Sequence, residues 1–437
     1  MSTTTEPDRD PVEEKPRRSV SGVLGAFGYR NFRVYWISAF TFVLGWQILR
    51  VVFAWVAYDL TGSAFYLGLL GLVQTIGTVS VVLLGGVAAD RVNRRMLLFF
   101  TQGSMALTVF TMLALSQAGM LEAWHLLAAS GVIGVTQGID QPTRTAIIPA
   151  LIDDRRLLMN ALALGSSVWQ GTRIFGPALG GILLDQFGAT TTFAAVTVAL
   201  VGGTMLLGLL RIPTVMERDR GSVIGELFEG LTFIRREQLF RSLILLTFVD
   251  SFFGTAYIYL MPVFAVDVFE VGAGAMGVMF GASALGALLG TLSAAFLVHG
   301  RWPVHLLLGG AIGFGGLVIA FGASNILWLS LSFLFLSGAC NSLSMITNQT
   351  LLQAAVPEEL RGRVMGVFSL TFGLIPAGGF QAGYLADTFN AQVAVIIGGI
   401  IVVGFVSILL LQGSLRNRIR DASTIVSETE PEPAPTR

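Results

Sequence analysis

Runs of about 20 apolar residues follow one another along most of this chain, each long enough to cross the hydrocarbon core of a bilayer as a helix. Backbone inside lipid must satisfy its own hydrogen bonds, so the feature restricts the chain to a bundle of membrane-spanning helices. Composition agrees: 54% of the residues are hydrophobic and 12% charged, against about a quarter charged in soluble domains. Lys15 is the only lysine, so 26 of the 27 basic residues are Arg. Lysine-dependent chemistry, such as a phosphate-binding loop or a Schiff base, is thereby excluded from the spans. The lone Cys340 reads as a small buried residue with no disulfide to make.

Hydropathy windows predict twelve spans, roughly at 34–58, 64–88, 96–117, 123–148, 159–184, 187–211, 241–266, 272–298, 303–322, 326–348, 363–386 and 391–412. The connections then divide by charge. Those after even-numbered spans carry Arg91, Arg94, Arg95, Arg155, Arg156, Arg211, Arg218, Arg220, Arg235, Arg236, Arg241, Arg301, Arg361 and Arg363. The opposite loops carry Asp59, Glu122, Asp185, Asp267, Glu270 and Asp387 and no Lys or Arg. Under the positive-inside rule both termini are cytoplasmic.

The expected organisation is a disordered cytoplasmic tail at 1–30, a six-helix bundle at 31–211, a linker at 212–240, a second bundle at 241–412 and a disordered tail at 413–437. The first 30 residues lack the short apolar core of a signal peptide. In the linker, Val223, Ile224, Leu227, Phe228, Leu231 and Ile234 recur at helical spacing against Glu226, Glu229, Arg235 and Arg236. That pattern predicts an amphipathic helix on the inner membrane surface.

The halves echo each other at an offset of about 200 residues. Thr145 to Ile152 followed by Asp153 and Asp154 corresponds to Thr350 to Pro357 followed by Glu358 and Glu359. Pro177, Gly180 and Gly181 lead to Asp185 as Pro376, Gly378 and Gly379 lead to Asp387, and a G-x-x-x-D ending, Gly181 to Asp185 and Gly383 to Asp387, closes each span. Parallel repeats of this kind place a substrate site between the halves near the midplane.

Between the second and third windows the chain reads Gly85-Gly86-Val87-Ala88-Ala89-Asp90-Arg91-Val92-Asn93-Arg94-Arg95. This resembles the G-x-x-x-D-R-x-G-R-R loop of the major facilitator superfamily, with Asn93 where that family usually has Gly. The resemblance covers about Tyr29 to Arg416 and implies an all-α integral membrane fold of two six-helix bundles. It makes Gly86, Asp90, Arg91, Arg94 and Arg95 a cytoplasmic gate. The corresponding second-half segment, His299 to Pro303, has no Asp-Arg core, so the latch is one-sided and holds the outward-facing state.

Several segments resemble the branch containing enterobactin exporters and macrolide efflux proteins. They are Tyr29 to Arg33, Trp46 to Arg50 with Tyr58 to Ser63, Asp140 to Arg144 with Pro149, and Val356 to Arg363. Gly176-Pro177-Ala178-Leu179-Gly180-Gly181 is similar to the signature of proton-driven antiporters. Pro177 kinks the helix and Gly176, Gly180 and Gly181 permit close packing; sealing against leak and plain packing both remain open. Many proton-coupled members carry an Arg three residues before Gln-Gly in the fourth span, where this chain has Gly134 before Gln137-Gly138.

Ionisable residues inside spans cost several kcal/mol unless paired or facing water, which singles out Arg50, Asp140, Arg173 and Asp250. Asp140 and Arg144 stand one turn apart, and both a structural ion pair and a gating role fit. Asp250 is the proton-coupling candidate, because a carboxylate in a partly dry cavity can load and release a proton during alternating access; permanent neutralisation by an Arg is the alternative. Arg50 and Arg173 serve equally as charge partners or as holds for an anionic or phenolic substrate. Trp46, Gln47, Phe53, Trp169, Gln170 and Phe253 suit a bulky, partly aromatic ligand.

Other motifs fail in context. Gly272-x-Gly274-x-x-Gly277 has no strand before it, and Asn348-Gln349-Thr350 lies at the cytoplasmic end of its helix. His125, His299 and His305 form no ligand cluster, and no nucleophile or metal motif is present. The expectation is a transporter, not an enzyme, with no metal and no cofactor, driven by the proton gradient. It is expected to work as a monomer in the lipid of a bacterial cytoplasmic (inner) membrane, on a small-molecule substrate and with no nucleic acid. Export of a small amphipathic molecule, a drug or siderophore-like metabolite, is the leading reading. Uptake by the same fold, or a non-transporting sensor or enzyme built on it, are the alternatives.

Overall fold

The computed structural model describes residues 24–89, 93–152, 154–210, 223–297 and 303–411. Among these residues every regular element is helical. The first span is Arg30–Thr61, the second Ala64–Ala89, the third Arg94–Gln117 and the fourth Ala123–Ile147. Leu158–Gly208 runs for 51 residues, but Gly188 at φ 77° turns the chain, so it crosses twice as the fifth and sixth spans. Only glycine takes that backbone angle without strain.

After the connecting helix Val223–Arg236 come the seventh span, Gln238–Val268, and the eighth, Ala273–Leu297. The ninth is Pro303–Ala323, the tenth Leu327–Ala355 and the twelfth Ala391–Leu411. The eleventh has two pieces, Glu358–Gly373 and Ile375–Thr388, with Pro376 in the first turn of the second. Ten of these stretches are long and apolar enough to cross a membrane. Separating the two arms at Gly188 and adding the fourth span, whose polar residues lower its hydropathy, gives the expected twelve.

The seventh span is the least regular. An α-helix over Gln238–Val249 passes into a π-turn at Asp250–Gly254 and a 3-10 stretch at Thr255–Leu260. Pro262 cannot donate the usual bond one turn back, and a second π-turn follows at Phe264–Val268. π-turns of this kind are frequent at functional sites.

The spans have a basic end, where Arg94, Arg156, Arg241 and Arg361 lie, and an acidic end with Asp59, Asp185, Asp267 and Asp387. Apolar packing differs between the two. Through the centre and the acidic end one core joins both halves, from Phe42, Val52 and Phe193 to Phe264, Met276 and Val402. Toward the basic end the core splits in two. Phe32, Leu98, Ile147 and Leu207 belong to the first half, and Phe240, Leu307, Leu351 and Val406 to the second. The halves are fused at one end and separately packed at the other.

The connecting helix docks on the second half. Glu229 pairs with Arg363 at 2.6 Å, and Ile234 is buried with Phe240. Phe228 remains 65% exposed. Residues 1–23 of the first expected tail, 212–222 of the linker and all of the second tail, 413–437, lie outside the described residues, whereas Gly25–Gly28 of the first tail form a 3-10 turn.

Candidate transport site

Closure of the acidic end is built from small residues and carboxylates. Gly71 of the second span meets the eleventh so closely that a Cβ there would sit 2.3 Å from the Pro376 carbonyl oxygen. Gly181 meets the eighth span with a Cβ position 2.6 Å from the Ala273 carbonyl oxygen. Beside these contacts each G-x-x-x-D ending reaches the other half. Asp387 accepts from the Ser63 hydroxyl at 2.8 Å and from the Ala64 N–H at 2.9 Å, at the start of the second span. Asp185 lies against Gly272 and Gly274, at the start of the eighth. A carboxylate is favoured at both positions, because unpaired N–H groups and the helix dipole converge there. Tyr58 adds a bond to Asp267 at 2.5 Å between the first and seventh spans.

Behind this seal lies a cavity of about 260 Å³ between the halves. The first half supplies Trp46, Arg50, Phe53, Gln74 and Gln137, and the second Tyr259, Phe280, Phe372, Ile375 and Pro376. Aromatic walls with a few convergent polar groups are the usual make-up of a small-molecule site. Arg50 is held in place by Gln47, whose Oε1 accepts from Nη1 at 3.3 Å, and by the Trp46 ring at 5.4 Å. Gln47 itself is 1% exposed under Gly176 and acts on the cavity through Arg50.

A smaller cavity of about 70 Å³ adjoins the first and is lined by Trp46, Gln137, Asp140, Arg144 and Trp169. Trp46 and Trp169 meet edge to face at 5.7 Å. Arg144 Nε donates to Asp140, one turn back along the fourth span. Phe42 covers the guanidinium at 4.8 Å, and the Tyr35 hydroxyl donates to the Arg144 carbonyl at 3.1 Å. Thr101 and Gln102 of the third span reach Asp140 at 3.4 Å. The pair is thus an anchored internal ion pair, and a buried pair costs desolvation that only such surrounding bonds offset.

Asp250 opens the π-turn of the seventh span and accepts from the Asn341 amide at 2.6 Å. Among the described residues no arginine lies within ion-pair distance of it. Its wider surroundings include Tyr257, whose hydroxyl meets Ser283 at 3.1 Å and which lies within electrostatic reach of both Asp250 and Arg173. Arg173 is within reach of Arg50 as well. Arg50 and Arg173 of the first half and Tyr257 and Asp250 of the second therefore lie near enough to feel one another's charge, with Asn341 bonded to Asp250.

The structure does not gather every residue singled out from sequence. Gln170 lines none of these cavities, and Phe253 packs against Phe252 at 4.9 Å. Gly176 and Gly180 press on the first span at Gln47 and Ile48, while Gly181 and the Pro177 carbonyl face the eighth. Gly86 belongs to the second helix, and Asp90 and Arg91 lie outside the described residues. Arg94 donates to the Ala146 carbonyl at 2.8 Å and Arg95 to the Gly208 carbonyl, both within the first half. Sequence reasoning missed Gln74, Gln137, Tyr257, Tyr259 and Asn341. None of them carries a charge whose burial would mark it in the sequence, and only the polar run Gln137, Asp140, Gln141 and Arg144 on one face of the fourth span hinted at them. Among the described residues no group of three or more His, Cys, Asp or Glu is placed to hold a metal.

Comparison with known proteins bears on the family and the fold. The model of a family described as transmembrane secretion effector matches residues 21–434. The chain is 27% identical to the enterobactin exporter of Citrobacter koseri, over 82% of each protein. It is 22% identical to the staphyloferrin A transporter of Staphylococcus aureus, over 82% of this chain and 90% of that one. Among solved structures, a nucleoside transporter superposes with a TM-score of 0.70 at 12% identity, covering 87% of this chain and 99% of that chain. An inward-facing bacterial homologue of the human lysosomal transporter Spinster superposes at 0.63 and 17% identity, covering 94% and 98%. At those identities the structural likeness speaks for the fold alone.

Proposed function

This chain belongs to the transmembrane secretion effector family of the major facilitator superfamily, transporters and not enzymes, and we propose that it exports a small amphipathic, partly aromatic molecule of the siderophore or drug kind. The observation that carries the reading is the central cavity between the halves, closed at the acidic end and combining Trp46, Phe53, Phe280 and Phe372 with Arg50, Gln74, Gln137 and Tyr259. Siderophore-handling relatives support the substrate class.

The basic end is cytoplasmic by the positive-inside rule, in a bacterial inner membrane. With the acidic end sealed and the core divided at the basic end, the described conformation loads cargo from the cytoplasm. Rocking of the halves then opens the acidic end and releases it. The proton gradient supplies the energy by antiport, with Asp250 taking up and releasing the proton. The π-turn at Asp250 and its neutral partner Asn341 favour that role, because among the described residues no arginine pairs with the carboxylate. The protein works as a monomer, the cavity lying within one chain.

The test is transport in inside-out vesicles from overproducing cells. Accumulation of a fluorescent amphipathic substrate that stops when an ionophore collapses the pH gradient is the expected result. Accumulation that persists without the gradient would remove the antiport reading, and none in either condition the export reading.

A further inference from the structure

Two buried donors on the fourth span end without partners among the described residues. Arg144 is 4% exposed and spends its Nε on Asp140, yet its Nη2 is buried and meets no acceptor. Gln137 lies two turns earlier on the same face. Its Oε1 accepts from the Gln74 amide at 3.0 Å, while its own Nε2 is buried and unmet. A buried donor without an acceptor costs roughly 1–3 kcal/mol, and more when charged, so two on one face call for an explanation. Both residues line the cavity of about 70 Å³, together with Trp46, Trp169 and Phe42.

That cavity is the middle one of a row. It shares Trp46 and Gln137 with the central cavity, and Arg144 and Trp169 with a third of about 120 Å³ that reaches Tyr35, Trp36 and Thr145 near the basic end. Arg144 folds back toward Asp140, as helical side chains lean toward the N-terminus, which brings its guanidinium to about one turn from Gln137.

We propose that the middle cavity is a recognition station for an aromatic group bearing acceptor oxygens, reached by cargo on its way to the central cavity. Arg144 Nη2 and Gln137 Nε2, closed off while the cavity is empty, donate to those oxygens after a turn of each side chain, and the indoles of Trp46 and Trp169 lie against the ring. A water's share of liquid volume is about 30 Å³, so the space fits a carbonyl or carboxyl group with the edge of a ring, the remainder lying in the central cavity. Asp140 already balances the charge of Arg144. The station therefore lacks acceptors, not anions, and takes a neutral amide or carbonyl as well as a carboxylate. The proposal rests on the transport reading but is measured by binding alone.

The test uses the full chain in nanodiscs, titrated with benzamide, benzoate and benzylamine and followed by tryptophan fluorescence and saturation-transfer NMR. Benzamide and benzoate are expected to bind saturably, and benzylamine, which brings only donors, at least ten-fold more weakly. Gln137→Leu, which keeps the side-chain bulk, and the charge-balanced pair Asp140→Asn with Arg144→Met are each expected to weaken both oxygen-bearing probes at least ten-fold. Unfolding temperature and elution volume establish that each variant is folded. Equal binding of the amine, no saturable binding of either oxygen-bearing probe, or wild-type affinity in a folded variant would overturn the proposal. Vesicle export with variant-insensitive binding removes the station alone; absent export with variant-sensitive binding removes the export reading alone.

Discussion

At the scale of single residues, charge inside the membrane was the readable signal. Asp140, Arg144, Arg50, Arg173 and Asp250 stand out in the sequence because each costs free energy in lipid, and the structure gives them different company. Asp140 and Arg144 are tied to each other and to the third span. Arg144→Ala leaves Asp140 buried and uncompensated, so unfolding should become easier by about 3–5 kcal/mol. Adding Asp140→Asn should return most of that loss. A thermal melt of the two variants in the same detergent checks the order. Asp250, which accepts from Asn341 and pairs with no arginine among the described residues, carries a different expectation. Asp250→Asn should abolish proton-driven flux in vesicles and leave substrate binding within about three-fold, whereas flux that persists would take the coupling role away from this residue. Its partner could not be read from sequence, since an Asn in a tenth helix is silent until the two helices are packed.

At the scale of elements, helix positions follow from hydropathy, and their interruptions only in part. The break between the fifth and sixth spans falls at Gly188, inside what would otherwise be one continuous apolar helix. The irregular seventh span has one visible cause, Pro262, while the π-turn at Asp250 has none in the local sequence. Small residues were readable as close-packing sites, but not which helix each would meet. Gly71 shows the consequence. Its packing on the Pro376 carbonyl leaves no room for a side chain, so Gly71→Val should prevent closure at the acidic end and leave the first bundle folded. With Cys340 replaced by Ser, a cysteine placed at Ala54 in the cavity should then react with an impermeant maleimide added from the acidic side, where the parent stays protected. Protection in the Gly71→Val protein would show that this contact does not set the seal.

At the scale of the whole molecule, two carboxylates placed by the internal repeat each reach a helix start in the opposite half, Asp387 at Ala64 and Asp185 at Gly272. A capping bond like that of Asp387 is worth about 0.5–2 kcal/mol, and the Asp185 carboxylate adds its attraction to the positive end of a helix dipole, together enough to bias two conformations of similar energy. Asp185→Asn with Asp387→Asn should therefore shift the population toward the acidic-side-open state. Distances between spin labels on the second and eleventh spans should lengthen at the acidic end and shorten at the basic end. Unchanged distances would mean that the glycine contacts hold the seal without the carboxylates.

The sequence by itself determined the class of the molecule, the number of its spans, the sign of charge at each end and the repeat that doubles one bundle into two. Those properties depend on hydrophobic length and on composition, which are local sums along the chain. The tertiary structure decided which end is closed, that Arg144 and Gln137 share a cavity with unmet donors, and that Asp250 faces an amide. These depend on which helix faces meet, and in a membrane bundle nearly every face is apolar, so the pairing is chosen by shape and a few polar contacts that hydropathy does not register.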